Sequence, residues 1–167
     1  MQAVVILHNI EKNTNLGQLI RTCNALGVKQ VCVVGRKRYA SYGNKNTHST
    51  TSMTHFFTLA TACEFYRAEG YHITAVEITP TAQSINTVGF SQNTVFVMGN
   101  EGIGLSPAAV ALCDSCVYIP QFGEGASINV NVACGVALNT FMAQSSRREN
   151  AMAGEKFVAK SKSHLLP

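Results

Sequence analysis

The sequence predicts an α/β domain built on a parallel β-sheet flanked by helices. Two observations carry that expectation: short apolar runs rich in β-branched residues, and segments of helical period lying between them. A third bounds the size. At 167 residues the chain suits one domain with a sizeable core, and no internal repeat or linker divides it. Hydrophobic content of 46% against 13% charged residues places it among folded globules rather than disordered chains.

The runs are "AVVILHN" (3–9), "QVCVVG" (30–35), "HITAVEI" (72–78), "TVFVMG" (94–99) and "CVYIP" (116–120). Most are apolar at successive positions, not alternate ones, which suits strands covered on both faces. The first helix, about 16–26, sets Leu16, Leu19, Ile20, Cys23 and Leu26 on one face and stops at Gly27. A second covers about 59–69 and ends at Gly70. A short third follows Ser106 and Pro107, an N-cap with proline at the first helical position. The last and longest is expected over 130–148. Residues 149–167 lose periodicity, so the domain is read as 1–148 with a basic tail behind it.

Charge and cysteine usage narrow the classes. A net charge of +4 permits nucleic acid as a partner without demanding it. Locally basic are "GRKRYASYGNK" (35–45) and the tail from Arg147. Cys23, Cys32, Cys63, Cys113, Cys116 and Cys134 lie mostly in apolar runs, as buried reduced thiols of a cytoplasmic protein would. Cys113 and Cys116 form a C-x-x-C, but no second pair completes a zinc set, and no metal is expected. The start carries no signal-peptide pattern and no run reaches the length of a membrane span.

Parallel sheets of this kind bind ligands beyond the carboxyl ends of their strands. Three segments meet there. After the first strand comes "HNIEKNTNLGQLIRTCNALGV", where Asn15 suits an N-cap and Gly17 allows close backbone approach. Arg21 lies several residues into that helix, with a side chain long enough to reach back toward the loop. The second segment is "GNEGIG", whose G-x-x-G-x-G spacing is not the dinucleotide fingerprint. A phosphate cradle would also gain nothing from Glu101 in its turn. The third, "IPQFGEGASINVNVACGVAL", clusters Ser127, Asn129 and Asn131 before the last helix. Capping is the ordinary work of such residues, yet three exceed what one cap needs.

Asn15, Gly17 and Arg21 as N-x-G-x-x-x-R, 99–104 as G-N-E-G-x-G, and 119–130 as I-P-x-x-G-x-x-x-S-x-N-V together resemble three motifs of the SpoU/TrmH-type RNA 2′-O-ribose methyltransferases of the SPOUT superfamily. The resemblance runs over 4–143. It implies a C-terminal deep trefoil knot, S-adenosylmethionine as cofactor, methyl transfer to an RNA ribose 2′-hydroxyl, and a homodimer formed through the first and last helices. A sulfonium ligand is a cation, which removes the objection to Glu101. By the same likeness Arg21 acts at the 2′-hydroxyl, with Asn15 positioning it. Glu101, Ser127 and Asn129 shape the pocket and support Arg21. Because a guanidinium stays protonated, Glu101 is also a candidate to accept the proton.

Gly99, Gly102, Ile119, Ser127 and Ile128 would line the cofactor, with Glu77 as a neighbour. RNA contact is expected from Arg36, Lys37, Arg38 and Lys45, interleaved with Tyr39 and Tyr42, and from Arg147, Arg148, Lys156, Lys160 and Lys162 in the tail. Transfer RNA is the first expected substrate and ribosomal RNA the second. A non-catalytic knotted RNA-binding module is the alternative from another class. The joint presence of Asn15, Arg21, Glu101, Ser127 and Asn129 speaks against it.

Overall fold

A computed structural model describes residues 1–35, 50–153 and 156–157. Seven strands form one sheet: β1 (Ala3–His8), β2 (Gln30–Val34), β3 (Met53–Phe56), β4 (His72–Val76), β5 (Gln83–Ser84), β6 (Thr94–Met98) and β7 (Ser115–Tyr118). Their order is β3-β2-β1-β6-β4-β7-β5, and every neighbouring pair is parallel. Four helices flank the sheet: α1 (Asn13–Ala25), α2 (Leu59–Ala68), α3 (Pro107–Val110) and α4 (Val130–Gln144).

The continuous apolar runs are explained by two cores, one on each face. Val5, Leu7, Val33, Phe96 and Met98 face Leu16, Leu19 and Ile20 of α1 and Leu138 and Phe141 of α4. Their neighbours Val4, Ile6, Val34, Val95 and Val97 face the opposite way, toward Leu59, Ala62 and Tyr66 of α2 and Leu105 and Ala109 around α3. A strand side chain alternates between faces, so two covered faces require apolar residues at both parities.

The chain lays β1, β2 and β3 outward in one direction, then places β6 and β4 on the other side of β1. The order therefore reverses beside β1, and the loops after β1 and β6 flank the crevice that such a reversal opens.

Several boundaries differ from expectation. β3 reads "MTHF": it is an edge strand with Thr54 and His55 in it, so it lacks the apolar signature of a doubly covered strand. β5 is two residues long, too short to leave a pattern. α4 stops at Gln144, not near 148, because Ser145 is already extended. Arg147 then turns back, its Nη1 donating to the carbonyl of Gly27 at 2.5 Å. The segment read as a tail contains a short antiparallel pair, β8 (Met152–Ala153) with β9 (Lys156–Phe157). Arg36, Lys37, Arg38, Tyr39, Tyr42 and Lys45 lie outside the described residues, as do Lys160 and Lys162. No helix among the described residues is long and apolar enough to cross a membrane.

Candidate active site

The loop after β6 is a closed turn whose backbone donors are already occupied. Asn100 and Gly104 exchange both backbone hydrogen bonds, at 3.2 and 2.9 Å. Inside that bridge the Asn100 Oδ1 accepts from the N–H groups of Gly102 (2.8 Å) and Ile103 (3.1 Å). The next N–H, on Leu105, donates to Glu77 Oε2 at 2.6 Å. A phosphate cradle needs free N–H groups pointing at its ligand. Here these three are spent on the protein itself.

Glycine is required at two places in this turn. A Cβ on Gly99 would stand 2.6 Å from the backbone of Gly104, so the two ends of the loop meet too closely for any side chain. Gly104 has φ +66° and a Cβ there would collide with the Glu77 carboxylate. Asn100 is a residue that sequence reasoning misses. An asparagine one residue after glycine in a turn is the available signal, since its short side chain can bond backbone two or three residues on.

Glu101 has an unexpected occupation. Its Oε2 accepts from the N–H of Glu11 at 3.0 Å, and its Oε1 from the N–H of Lys12 at 2.9 Å and from Asn15 Nδ2 at 3.0 Å. These groups are at the start of α1, where orphan N–H groups and the positive end of the helix dipole favour an anion. Burial would raise the Glu101 pKa, but the bonds from Asn15, Glu11, its own N–H and Lys12 together hold it below the usual carboxylate range. A carboxylate so engaged is a weaker proton acceptor than a free one.

Asn15 is correspondingly not the N-cap. α1 begins at Asn13 with Lys12 in the capping position and no side-chain cap, because the Glu101 carboxylate fulfils that role from across the crevice. Asn15 is instead buried in the first turn, at 7% exposure, and bridges two motifs. While its Nδ2 reaches Glu101, its Oδ1 accepts from Asn129 Nδ2 at 3.3 Å. Asn129 also caps α4, its Oδ1 taking the N–H of Asn131 at 2.8 Å. Asn131 Oδ1 in turn accepts from Thr22 Oγ1 at 2.8 Å, tying α4 to α1.

The end of β4, the loop after β6 and the loop after β7 enclose one open cleft, and the start of α1 joins this assembly through the bonds of Asn15 to Glu101 and Asn129. The cleft has a volume of about 240 Å³. That is room for a nucleoside-sized group rather than a single water, whose share of liquid is about 30 Å³. Gly99, Gly102, Ile119, Ser127 and Ile128 all line it, and Glu77 and Glu101 supply carboxylates to its wall. No lysine or arginine among the described residues lines it. Arg21 stands apart from this cleft. It is exposed on the outer face of α1 with Thr14, Gln18 and Ala25, and makes no hydrogen bond or ion pair among the described residues. Its reach back toward the loop is not seen within one chain.

Residues 2–139 match the model of the SpoU rRNA Methylase family. The chain belongs to the SpoU rRNA methylase family. Among SpoU relatives, a tRNA (guanosine(18)-2′-O)-methyltransferase of Thermus thermophilus is 31% identical over 146 residues, covering 86% of this chain and 74% of that protein. The Aquifex aeolicus TrmH/SpoU tRNA modifying enzyme superposes with a TM-score of 0.78 at 26% identity, over 86% of this chain and 75% of its own. The SpoU methyltransferase AviRb of Streptomyces viridochromogenes, solved with the cofactor AdoMet, shares the fold with a TM-score of 0.77. Identity there is 22%, over 84% of this chain and 59% of that one.

Proposed function

We propose that this chain methylates the ribose 2′-hydroxyl of an RNA, with S-adenosylmethionine as donor and transfer RNA as substrate. One observation carries the reading: two family motifs line a cleft whose only charged lining groups, among the described residues, are the carboxylates of Glu77 and Glu101, and the first motif is tied to both through Asn15. Such a wall repels phosphate and tolerates a cation. Apolar Met98, Ile119, Ile128, Val130 and Ala133 suit the flat adenine, and the Gly99–Gly104 backbone allows close approach to it. The cofactor would thus be held by residues of the loops after β6 and β7 with Glu77 beside them, and when bound it supplies an already activated methyl on its sulfonium.

The 2′-hydroxyl oxygen takes the methyl, its proton passes to water and S-adenosylhomocysteine leaves, so what remains for the protein is orientation. Arg21 supplies it, gripping the RNA phosphate and the 2′-hydroxyl with its planar fork of donors. Asn15 and Asn129 hold the loop and the two helix starts in register, and Ser127 offers a hydroxyl at the cleft wall. Arg21 is exposed and does not line the cleft of its own chain, so we propose that two copies pair through α1 and α4 and share their sites. α4 is apolar around most of its circumference and leaves Val132 52% exposed, which an unpartnered surface helix does not favour. In the same reading the loops threaded around β7 and α4 form the trefoil knot. Residues 1–148 act as one methyltransferase domain, and the basic residues Arg36, Lys37, Arg38 and Lys45 approach the RNA. The family's description also favours ribosomal RNA as a second substrate class.

The test joins cofactor and product. S-Adenosylmethionine should raise the melting temperature whereas NAD and FMN should not. Tritiated methyl should enter unmodified tRNA and be recovered as a 2′-O-methyl nucleoside. Methyl recovered on a base, or transfer to neither tRNA nor rRNA, would sink the proposal.

A further inference from the structure

We infer that Phe57 is a stacking surface for an unpaired base of the substrate RNA, an inference that rests on the RNA reading above. Phe57 follows β3 in a two-residue turn before α2, and its side chain is 75% exposed. All strands of the main sheet are parallel, so this turn lies on the same rim as the cleft. β3 and β6 are three strand spacings apart, which separates the two strands by about 14–15 Å across the sheet.

Single exposed apolar residues are common and usually mean little. Three features separate Phe57 from that background. The core does not need it, because its neighbour Phe56 already fills the adjoining position against Phe65 and Tyr66, with centroids at 5.4 and 6.2 Å. The ring has an aromatic neighbour: His55 packs against it at a right angle, with centroids 4.9 Å apart and 89° between the planes. His55 is itself fixed, its Nε2–H donating to the Gly35 carbonyl at 2.9 Å, and Gly35 N–H bonds to Phe56 O at 3.0 Å. An aromatic ring braced by a neighbour and open to solvent suits base stacking, since less side-chain freedom is lost on binding. The third is charge. Gly35 leads directly into Arg36, Lys37 and Arg38 in the sequence, so the ring sits beside the origin of the chain's densest cationic run. Cations for the backbone and a ring for the bases are the two components of single-strand recognition.

The experiment compares Phe57→Ala, Phe57→Leu and Phe57→Trp with the wild-type chain by filter binding. The probes are a pool of unmodified tRNA transcripts and a blunt RNA duplex without unpaired bases. Alanine and leucine should weaken tRNA binding by about 5- to 150-fold and tryptophan should restore it, because a base stacks on a π-face and not on aliphatic area alone. Duplex binding and melting temperature should not move. Alanine binding tRNA as wild type does, leucine matching tryptophan, or a changed oligomeric state in sedimentation would each overturn the assignment. Methyl transfer is scored separately. Wild-type protein that binds tRNA and transfers nothing removes the methyltransferase reading and leaves Phe57 standing. Wild-type protein that binds no tRNA removes both.

Discussion

At its first turn α1 is pinned: the Glu101 carboxylate takes two backbone N–H groups and Asn15, and Asn15 passes the tie on to Asn129. Further along the same helix, Arg21 is exposed and unpaired among the described residues. Both regions belong to the family motifs, yet they stand in different relations to the fold. Glu101, Asn15 and Asn129 have work to do in the folded chain with no substrate present. Arg21 has none among the described residues. The contrast changes how the motifs bear on catalysis. A knotted protein with no activity would still have a use for Asn15, Glu101 and Asn129 as the clasp between its loops. Their joint presence does not separate an enzyme from a binding module. Arg21, with no hydrogen bond or ion pair among the described residues, is where the proposed catalytic reading can be tested apart from the fold.

The largest effect should therefore come from Arg21→Lys. Charge is kept and the bidentate fork is lost, so methyl transfer should fall roughly 100-fold or more, the scale of one positioned catalytic group. Calorimetric S-adenosylmethionine affinity and the melting temperature should both stay at wild-type values. A lysine variant with full transfer, or one that melts earlier, would erase the distinction between the two regions.

Glu101→Gln should show the opposite profile, with the fold affected first. An amide has one acceptor oxygen, so it cannot take Glu11 N–H on one side and Lys12 N–H with Asn15 on the other. The lost charge also removes a favourable interaction with the α1 dipole. We expect a destabilisation of about 1–3 kcal/mol, measured by urea denaturation at neutral pH. The dependence on pH has a definite sign. The folded-state pKa of Glu101 is lowered, so the unfolded chain takes up its proton more readily. The stabilisation is complete above the ordinary carboxylate pKa and is lost as pH falls through the lower folded value. Wild type and Glu101→Gln should accordingly converge in stability as the solution is acidified through that window.

The doubly covered strands are legible because both faces of the sheet write themselves into consecutive residues, as in Val4 to Leu7. β3 is not, since an edge strand with Thr54 and His55 carries only half of that signal. The ends of α1 and α2 and the start of α3 follow from Gly27, Gly70 and Ser106, whose positive φ or capping bond is a local matter. The start of α1 cannot be read in this way. Its cap is a carboxylate 89 residues later in the chain than the Lys12 N–H it accepts from. Local rules assign the cap to Asn15, the nearest residue of the right chemistry. Likewise the acid in the glycine turn looks misplaced for any phosphate, but only the folded chain shows that it faces the start of another helix. Partners brought together by topology leave no mark on spacing.

The smallest effect separates the chain's two basic regions. Sequence groups Arg147 with the tail cations expected to touch RNA, yet it donates to the Gly27 carbonyl just past the end of α1. Gly27 has φ +66° and Val28 N–H returns to Cys23 O at 3.0 Å, so the helix ends in a left-handed cap whose carbonyls attract a cation. Arg147 is exposed, and such a contact contributes about 0.3–1 kcal/mol at low salt and less as ionic strength rises. Arg147→Ala should lower the melting temperature slightly at low salt, with a difference that shrinks at high salt. Its salt slope for RNA binding should match wild type. Replacing Arg36, Lys37 and Arg38 together should do the reverse, making that slope shallower while leaving the melting temperature in place. A shallower slope from Arg147→Ala would move this residue from the fold's side of the comparison to the substrate's.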